Sequence, residues 1–248
     1  MSKFMKITKN TVLITGGATG IGFSIAEHFL NTDNEVIICG RRETKLKEAN
    51  QKYPKLHFKT CDVTNPNERN TLFNWINSNF GKFNILVNNA GIQRAIDLKK
   101  GVDGLQGEDE IEVNLRAPIY LTELFIRLLL KQEESAIINV SSGLGFMPIA
   151  SMPIYCATKA AIHSFTISLR YQLKDSSIKV FEIIPPTVDT ELDKGRRGSY
   201  RGINPSKIGK ATLIGVEKDK FEITVGESEG LRNVSKENFD QIFSRMNH

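Results

Sequence analysis

Cysteine and histidine are scarce in this chain of 248 residues, which has three cysteines and four histidines. Cys39, Cys61 and Cys156 are odd in number, far apart and outside any CxxC pattern. The sequence therefore predicts neither a disulfide framework nor a zinc site, and we expect no metal. Instead we expect buried free thiols in a reducing, cytoplasmic environment.

Long apolar runs are also missing. The first ten residues, MSKFMKITKN, lack the apolar core of a signal peptide. The most apolar helical stretch, 121–130, contains Glu123 and Arg127, so we expect no membrane span. Hydrophobic residues still make up 40% of the chain, which is enough for a globular core. We predict a single domain over 1–248.

Charge of one sign is in excess only locally, although the formal net charge is +5. Between 194 and 210 the chain has no acidic residue and six basic ones, Lys194, Arg196, Arg197, Arg201, Lys207 and Lys210. Because the remainder is nearly neutral, the composition argues against a nucleic-acid-binding protein. The basic segment is either a solvated loop or a surface that steers an anionic substrate.

Short apolar runs alternate with amphipathic stretches along most of the chain. Strands are predicted at 11–15, 35–39, 56–61, 84–87, 136–140, 178–184 and 221–225. Helices are predicted at 21–30, 44–53, 67–79, 108–131 and 154–174, and Pro118 should kink its helix or mark the packed side. Apolar strands that alternate with helices are typical of a parallel sheet covered on both faces. We predict an α/β fold with a doubly wound (Rossmann-type) parallel sheet of about seven strands and helices on both faces.

Ligands in such folds bind beyond the carboxyl ends of the strands, and the residues there indicate a dinucleotide. Gly16, Gly20 and Gly22 lie between the first strand and its helix, where they allow a tight turn and close approach to a pyrophosphate. The second strand leads to Arg41 and Arg42, where an enzyme specific for NAD would carry an acidic residue. This pattern favours NADP(H), unless the two arginines merely solvate a loop.

The third and fourth strands end in residues with two interpretations each. Asp62 can accept a hydrogen bond from an adenine amino group or cap the helix that starts near Pro66. Asn89, in the sequence Asn88-Asn89-Ala90-Gly91, can bond locally to the backbone, while its small neighbours let a cofactor pass.

A candidate catalytic group follows the fifth strand. Tyr155 lies thirteen residues after Ser142, and Lys159 lies one helical turn beyond Tyr155. An ammonium group lowers the pKa of a neighbouring phenol, which makes Tyr155 a candidate general acid and base, while Ser142 can stabilise the same substrate oxygen. Asn114 is either a satisfied buried amide or the holder of a water that relays protons to Lys159.

These motifs resemble the short-chain dehydrogenases/reductases over nearly the whole chain: TGxxxGxG, then NNAG, then a serine thirteen residues before YxxxK. The resemblance implies a catalytic tetrad of Asn114, Ser142, Tyr155 and Lys159. It implies cofactor contacts by Gly16, Ala18, Thr19, Gly20, Ile21, Gly22, Arg41, Asp62, Val63, Asn89, Ala90, Gly91, Tyr155, Lys159, Val188 and Thr190. In this family Tyr155 would transfer the proton, Ser142 would orient the carbonyl, and Lys159 would bind the nicotinamide ribose.

One family position differs, because Pro186 stands where the family usually has glycine after proline. The motifs at 185–192 and 155–164 are similar to those of oxidoreductases in Gram-positive teichoic-acid D-alanylation operons. The resemblance also implies a homodimer or homotetramer that pairs the two long helices.

Two segments are candidates for substrate contact. The apolar segment 143–153 either lines a hydrophobic pocket or belongs to the core and a subunit contact. The segment 191–205, with three glycines and no periodicity, is a candidate lid. We expect an NADP(H)-dependent oxidoreductase acting on a small carbonyl or alcohol, apolar and with an anionic group. The alternatives are an NADP(H)-binding sensor or scaffold without turnover, and a nucleotide-sugar epimerase or dehydratase, for which the chain after Pro186 is short.

Overall fold

Seven parallel strands form one sheet in the order β3-β2-β1-β4-β5-β6-β7 in a computed structural model that describes residues 4–100, 109–193, 202–234 and 236–247. The strands are β1 (Thr11–Thr15), β2 (Glu35–Gly40), β3 (His57–Thr60), β4 (Phe83–Asn88), β5 (Ser135–Val140), β6 (Ile178–Ile184) and β7 (Glu222–Thr224). The strand order reverses between β1 and β4, which places a crevice at their carboxyl ends. The predicted fold class is confirmed.

Helices cover both faces of the sheet. They are α1 (Gly20–Leu30), α2 (Glu43–Lys52), α3 (Pro66–Asn79), α4 (Ala117–Leu129), α5 (Pro153–Gln172), α6 (Pro205–Glu217), α7 (Glu227–Arg232) and α8 (Lys236–Asn247). Alternate strand residues enter two separate cores: Val12 and Ile14 pack with Phe29 of α1, while Leu13 packs with Phe125 of α4 on the other face. All three cysteines are buried and unbridged, as predicted.

The predicted single helix over 108–131 is present but not regular throughout. Residues 110–111 are α-helical, Glu112–Arg116 form a π-helical turn, and the regular helix α4 follows from Ala117. Pro118 explains the boundary, because it has no N–H to donate to an earlier carbonyl and therefore fits the first turn of a helix. Pro118 therefore lies at the point where the regular helix α4 begins. Its side chain is buried, so it also marks the packed side of the helix.

The chain after β6 holds three helices that the sequence reading did not assign. Helix α6 packs against α1 on one face of the sheet, and α7 and α8 follow β7. Among the residues that the structure describes, no helix is long and apolar enough to cross a membrane.

Candidate active site

A cleft of about 810 Å³ opens at the carboxyl ends of the strands. Of the residues predicted for catalysis or cofactor binding, all line this cleft except Gly22 and Asn114, which lie behind its wall. The volume is in the range of small-molecule and cofactor sites. The sheet topology therefore brings together predicted site residues that are up to 174 positions apart in sequence, from Gly16 to Thr190.

The glycine turn after β1 has the geometry that the sequence predicts. Gly16 and Gly20 have φ values of +63° and +57°, a region that favours residues without Cβ. A Cβ on Gly22 would lie 2.4 Å from the Asn89 amide nitrogen, so this glycine allows α1 to pack closely behind the turn. Asn89 Nδ2 donates to Thr15 O at 2.9 Å and Gly16 O at 3.2 Å. The Asn89 amide therefore ties β4 to the turn, as the local-bonding interpretation expects.

Two arginines stand at the edge of the cleft where the adenosine end of a dinucleotide would lie. Arg41 and Arg42 are both exposed and both line the cleft. Arg42 Nη1 pairs with Glu191 Oε2 at 2.7 Å, and its Nη2 donates to Thr19 Oγ1 at 3.2 Å. Arg42 thus links the glycine turn to the chain after β6, across the mouth of the cleft.

The helix-capping interpretation of Asp62 is wrong. Asn65 caps α3 by accepting hydrogen bonds from the N–H groups of Asn67 and Glu68. Asp62 Oδ1 instead accepts hydrogen bonds from Thr64 N and Thr64 Oγ1, at 2.9 and 2.7 Å. This short turn holds Asp62 at the cleft wall beside Val63.

Ser142 and Tyr155 enter the cleft from two adjacent elements. Ser142 follows β5, and its Oγ accepts a hydrogen bond from Leu144 N at 3.1 Å. Since a hydroxyl carries one hydrogen, that hydrogen can be donated to a substrate oxygen. Tyr155 lies in the first turn of α5 and is 7% exposed. Both side chains are largely desolvated, which strengthens any hydrogen bond that they make there.

Lys159 lies one helical turn after Tyr155, on the side of α5 that faces the sheet. Its Nζ donates to Val140 O at 2.8 Å and lies 5.6 Å from the centre of the Tyr155 ring. Burial away from water disfavours the ammonium form and lowers the pKa of Lys159 to about 8, while the negative charge of Glu182 acts in the opposite direction.

The Asn114 side chain makes three hydrogen bonds and is 1% exposed. Its Oδ1 accepts from Ile92 N, and its Nδ2 donates to Ile92 O and to Thr158 Oγ1. These contacts agree with the interpretation as a satisfied buried amide. A water relay to Lys159 stays a prediction.

The C-terminal helices supply cleft residues that the sequence reading missed. They are Glu227, Gly230 and Leu231 of α7, Val234, and Ile242, Arg245 and Met246 of α8. Asn247 fastens the end of α8 to the segment after β5, since its Oδ1 accepts from Ala150 N. The apolar positions Phe239, Ile242, Phe243 and Met246 follow helical spacing and could have revealed α8.

The apolar segment 143–153 serves two purposes. Leu144 lines the cleft, whereas Met147 and Met152 are buried, at 0% and 4% exposure. The pocket interpretation therefore holds for Leu144 and the core interpretation for the two methionines, while a subunit contact stays a prediction.

The predicted lid at 191–205 is described only at its two ends. Val188 pairs with Ile203, and Gly202 has φ +59° with no room for a Cβ beside Thr187 O. Leu192 O accepts a hydrogen bond from Gln93 Nε2 at 3.0 Å. Lys194, Arg196, Arg197 and Arg201 lie outside the described residues, while Lys207 and Lys210 are exposed on α6.

Pro186 lines the cleft in place of the usual glycine. Its neighbour Pro185 accepts a hydrogen bond from Gly143 N at 3.0 Å, which joins the ends of β5 and β6. Because proline lacks an N–H, residue 186 can offer a ligand only its carbonyl oxygen and ring.

A doubly wound sheet with this glycine turn, and with serine, tyrosine and lysine in one cleft, defines the class of oxidoreductases that use NAD(H) or NADP(H). The family model described as short chain dehydrogenase matches residues 10–200, and the chain belongs to this family. The uncharacterized oxidoreductase DltE of Bacillus subtilis (strain 168) is 48% identical over 98% of each chain. The predicted resemblance to the short-chain dehydrogenases/reductases is confirmed, and so is the resemblance to the oxidoreductases of teichoic-acid D-alanylation operons.

Two solved structures share the fold. A short chain dehydrogenase from Burkholderia cenocepacia J2315 in complex with NADP has a TM-score of 0.85 and 23% identity, covering 98% of this chain and 99% of that one. A short chain dehydrogenase/reductase from Burkholderia phymatum in complex with NAD has a TM-score of 0.83 and 19% identity, covering 96% and 97%. Because one holds NADP and the other NAD, the shared fold is compatible with either coenzyme.

Proposed function

We propose that the chain is an NADP(H)-dependent oxidoreductase that interconverts a carbonyl and an alcohol, over a single domain of residues 1–248. The observation that carries this proposal is the convergence of Ser142, Tyr155 and Lys159 in the cleft that the glycine turn also lines. When bound, the nicotinamide supplies or accepts the hydride at the substrate carbon.

The chain's own residues handle the oxygen and its proton. In the direction of reduction, the Tyr155 hydroxyl donates its proton to the carbonyl oxygen, and in oxidation the phenolate takes the proton back. Ser142 donates a second hydrogen bond to the same oxygen, which stabilises the charge that develops there. Lys159 stabilises the phenolate and holds the cofactor ribose, and Asn114 positions the segment at Ile92 beside it.

The substrate that we propose is small, largely apolar and carries an anionic group. Leu144, Leu231 and Ile242 contribute apolar side chains to the cleft lining, and Arg245 contributes a guanidinium. The segment 191–205 is proposed as the lid, and the buried free thiols support a reducing, cytoplasmic location.

Tyr155→Phe tests the mechanism. We expect turnover to fall by at least about 100-fold, because the general acid is lost. NADPH binding, measured by fluorescence titration, should stay within about twofold, a change of under 1 kcal/mol. Tyr171→Phe is the matched control, since Tyr171 lies on the same helix but is 70% exposed. Retained turnover in Tyr155→Phe would contradict the mechanism. A wild-type chain that binds NADPH tightly and turns over no carbonyl or alcohol would favour the sensor alternative.

Arg41→Ala tests the coenzyme assignment. We expect the Kd for NADPH to rise about tenfold and the Kd for NADH to stay nearly constant, because only NADPH carries the 2′-phosphate that a guanidinium binds. Arg127→Ala, at an exposed position on α4, removes the same charge elsewhere and should leave both constants unchanged. Equal wild-type affinities for the two coenzymes would refute the assignment.

A further inference from the structure

A row of polar side chains crosses four adjacent strands, from β4 in the centre of the sheet to β7 at its edge. Asn88 of β4 pairs in register with Asn139 of β5, Asn139 with Glu182 of β6, and Glu182 with Glu222 of β7. Leu86, Ile137 and Val180, two residues earlier on the first three strands, belong to the core under α3, α4 and α5. Because side chains alternate along a strand, the row faces the same side, beneath the helix that carries Tyr155 and Lys159.

The neutral half of this row is held by hydrogen bonds. Asn88 Nδ2 donates to Asn139 Oδ1 at 2.9 Å and to Thr122 Oγ1 at 3.3 Å, and Asn139 Nδ2 donates to Thr166 Oγ1 at 2.9 Å. The two threonines lie on α4 and α5. These contacts fix α5 against the sheet and need no charge.

The charged half is different, because Glu182 is a fully buried carboxylate. Its side chain is 0% exposed, and its Oε2 lies 2.8 Å from His163 Nδ1 on α5. Its Oε1 has no hydrogen-bond partner among the described residues. A charged group in this position is costly unless nearby positive charge compensates it.

Lys159 is the buried cation on the same side of α5. His163 follows it by four residues, so the two side chains project from one face of the helix. Lys159 itself donates to Val140 O, at the end of the strand beside β6. The negative charge of Glu182 opposes the effect of burial on the pKa of Lys159.

We propose that the buried pair Glu182–His163 stabilises the charged form of Lys159. Glu182 supplies the negative charge that keeps the Lys159 side chain an ammonium ion in the cleft. His163 acts through Glu182, because its Nδ1 lies 2.8 Å from one carboxylate oxygen and holds the carboxylate in place beneath α5. This inference rests on the proposed role of Lys159, but it concerns the charge state of the amine and not the reaction.

Other charges face the same region and limit what the pair can do. Besides Lys159 and His163 themselves, they are Arg170 on α5, Glu222 on β7 and Arg232 on α7. Arg232 Nε pairs with Glu222 Oε2 at 3.1 Å, and Arg170 Nη1 lies 4.0 Å from Glu222 Oε1. His163, Glu182 and Glu222 lie within 4.8 Å of one another, but these arginines already supply the positive charge that a cation would bring. The charge of Glu222 is therefore compensated by arginine, whereas the charge of Glu182 acts on both Lys159 and Arg170.

The direct test is a titration of the Lys159 amine in the full chain. Lysine labelled with ¹³C at the ε-carbon is followed by NMR, and Lys159→Met identifies the signal. We expect Glu182→Gln to lower the pKa of Lys159 by about half a unit or more, because a neighbouring opposite charge is lost. Asp219→Asn is the matched control: Asp219 pairs with Lys179, whose side chain leaves β6 on the opposite face. It should leave the titration unchanged.

His163→Asn gives a second, milder variant, since His163 is 19% exposed at its side chain. Removing the ring leaves Glu182 buried with less support for its charge, so the Lys159 signal should shift in the same direction. The double variant should match Glu182→Gln alone, because both changes act through one carboxylate. An unchanged Lys159 titration in a folded Glu182→Gln or His163→Asn variant would overturn the proposal and leave the pair a purely structural feature. The Lys159 titration does not depend on turnover. A failure of the proposed function would appear in the turnover of the wild type and of Tyr155→Phe, and not in this titration.

Discussion

At the scale of single residues, burial of a basic group dominates the energetics of this site. The ammonium group of Lys159 donates to Val140 O, and the residue is only 5% exposed. Its pKa of about 8, compared with the ordinary value of 10.5, corresponds to a destabilisation of the ammonium form by about 3 kcal/mol relative to water. The protein therefore sacrifices stability to keep this amine beside Tyr155.

The stability of the fold should depend on pH through Lys159. The folded-state pKa lies below the unfolded one, so the unfolded chain binds more protons between about pH 8 and 10.5, and the Lys159 contribution rises with pH across that window. Below pH 8 the cost of burying the charge is present in full. Lys159→Met removes this cost. The difference in free energy of unfolding between the variant and the wild type should therefore shrink by about 3 kcal/mol from pH 7 to pH 10.5.

Denaturant unfolding of both proteins at the two pH values measures this change. Lys131→Met, at an exposed position, is the control and should show a constant difference from wild type. A constant difference for Lys159→Met as well would contradict the buried-charge argument.

At the scale of elements, the sheet was predictable because most of its strands are short, mainly apolar runs that alternate with amphipathic stretches. The bounds of β1 and β6 match the predicted ones, and the other strands differ by one or two residues. The π-helical turn at Glu112–Arg116 was not predictable, since periodicity does not distinguish an α-helix from a locally widened turn. Helix α8 was overlooked although its apolar spacing is clear.

The candidate site was predictable where local sequence dictates it. The glycine turn, and the spacing of Ser142, Tyr155 and Lys159, follow from strand–helix junctions and helical periodicity. The cap of α3 by Asn65, directly before Pro66, is also a local signal and was overlooked, whereas the placement of α8 over the cleft needed the tertiary structure. Glu182 gave no signal, because one acidic residue in an apolar strand does not reveal which helix covers it.

At the scale of the whole molecule, exposed apolar side chains on α5 support self-association. Ile167 is 43% exposed and Tyr171 is 70% exposed, and Leu130 at the end of α4 is 50% exposed. Burying such side chains stabilises an interface. We therefore propose a homodimer or homotetramer that pairs α4 and α5 of neighbouring copies, as the family resemblance implies.

The double variant Ile167→Asp/Tyr171→Asp should reduce the mass of the assembly, because each copy would bury carboxylates in the interface. Size-exclusion chromatography with light scattering measures the mass. Leu98→Asp introduces the same charge at a residue that is 58% exposed and lies outside both helices, so its mass should equal that of the wild type. An unchanged mass for the double variant would exclude this interface.

The pairing of Val188 with Ile203 has a consequence for how substrate range can diverge. The chain leaves the sheet edge and returns to it at one closed neck, with Asp189 N and Ile203 N each bonded across it. Because this neck already fixes the distance between the two ends, changes of length inside it cost little free energy and do not pull on β6 or α6. The number of residues between Leu192 and Gly202 can therefore change while Glu191 keeps its ion pair with Arg42 beside the glycine turn.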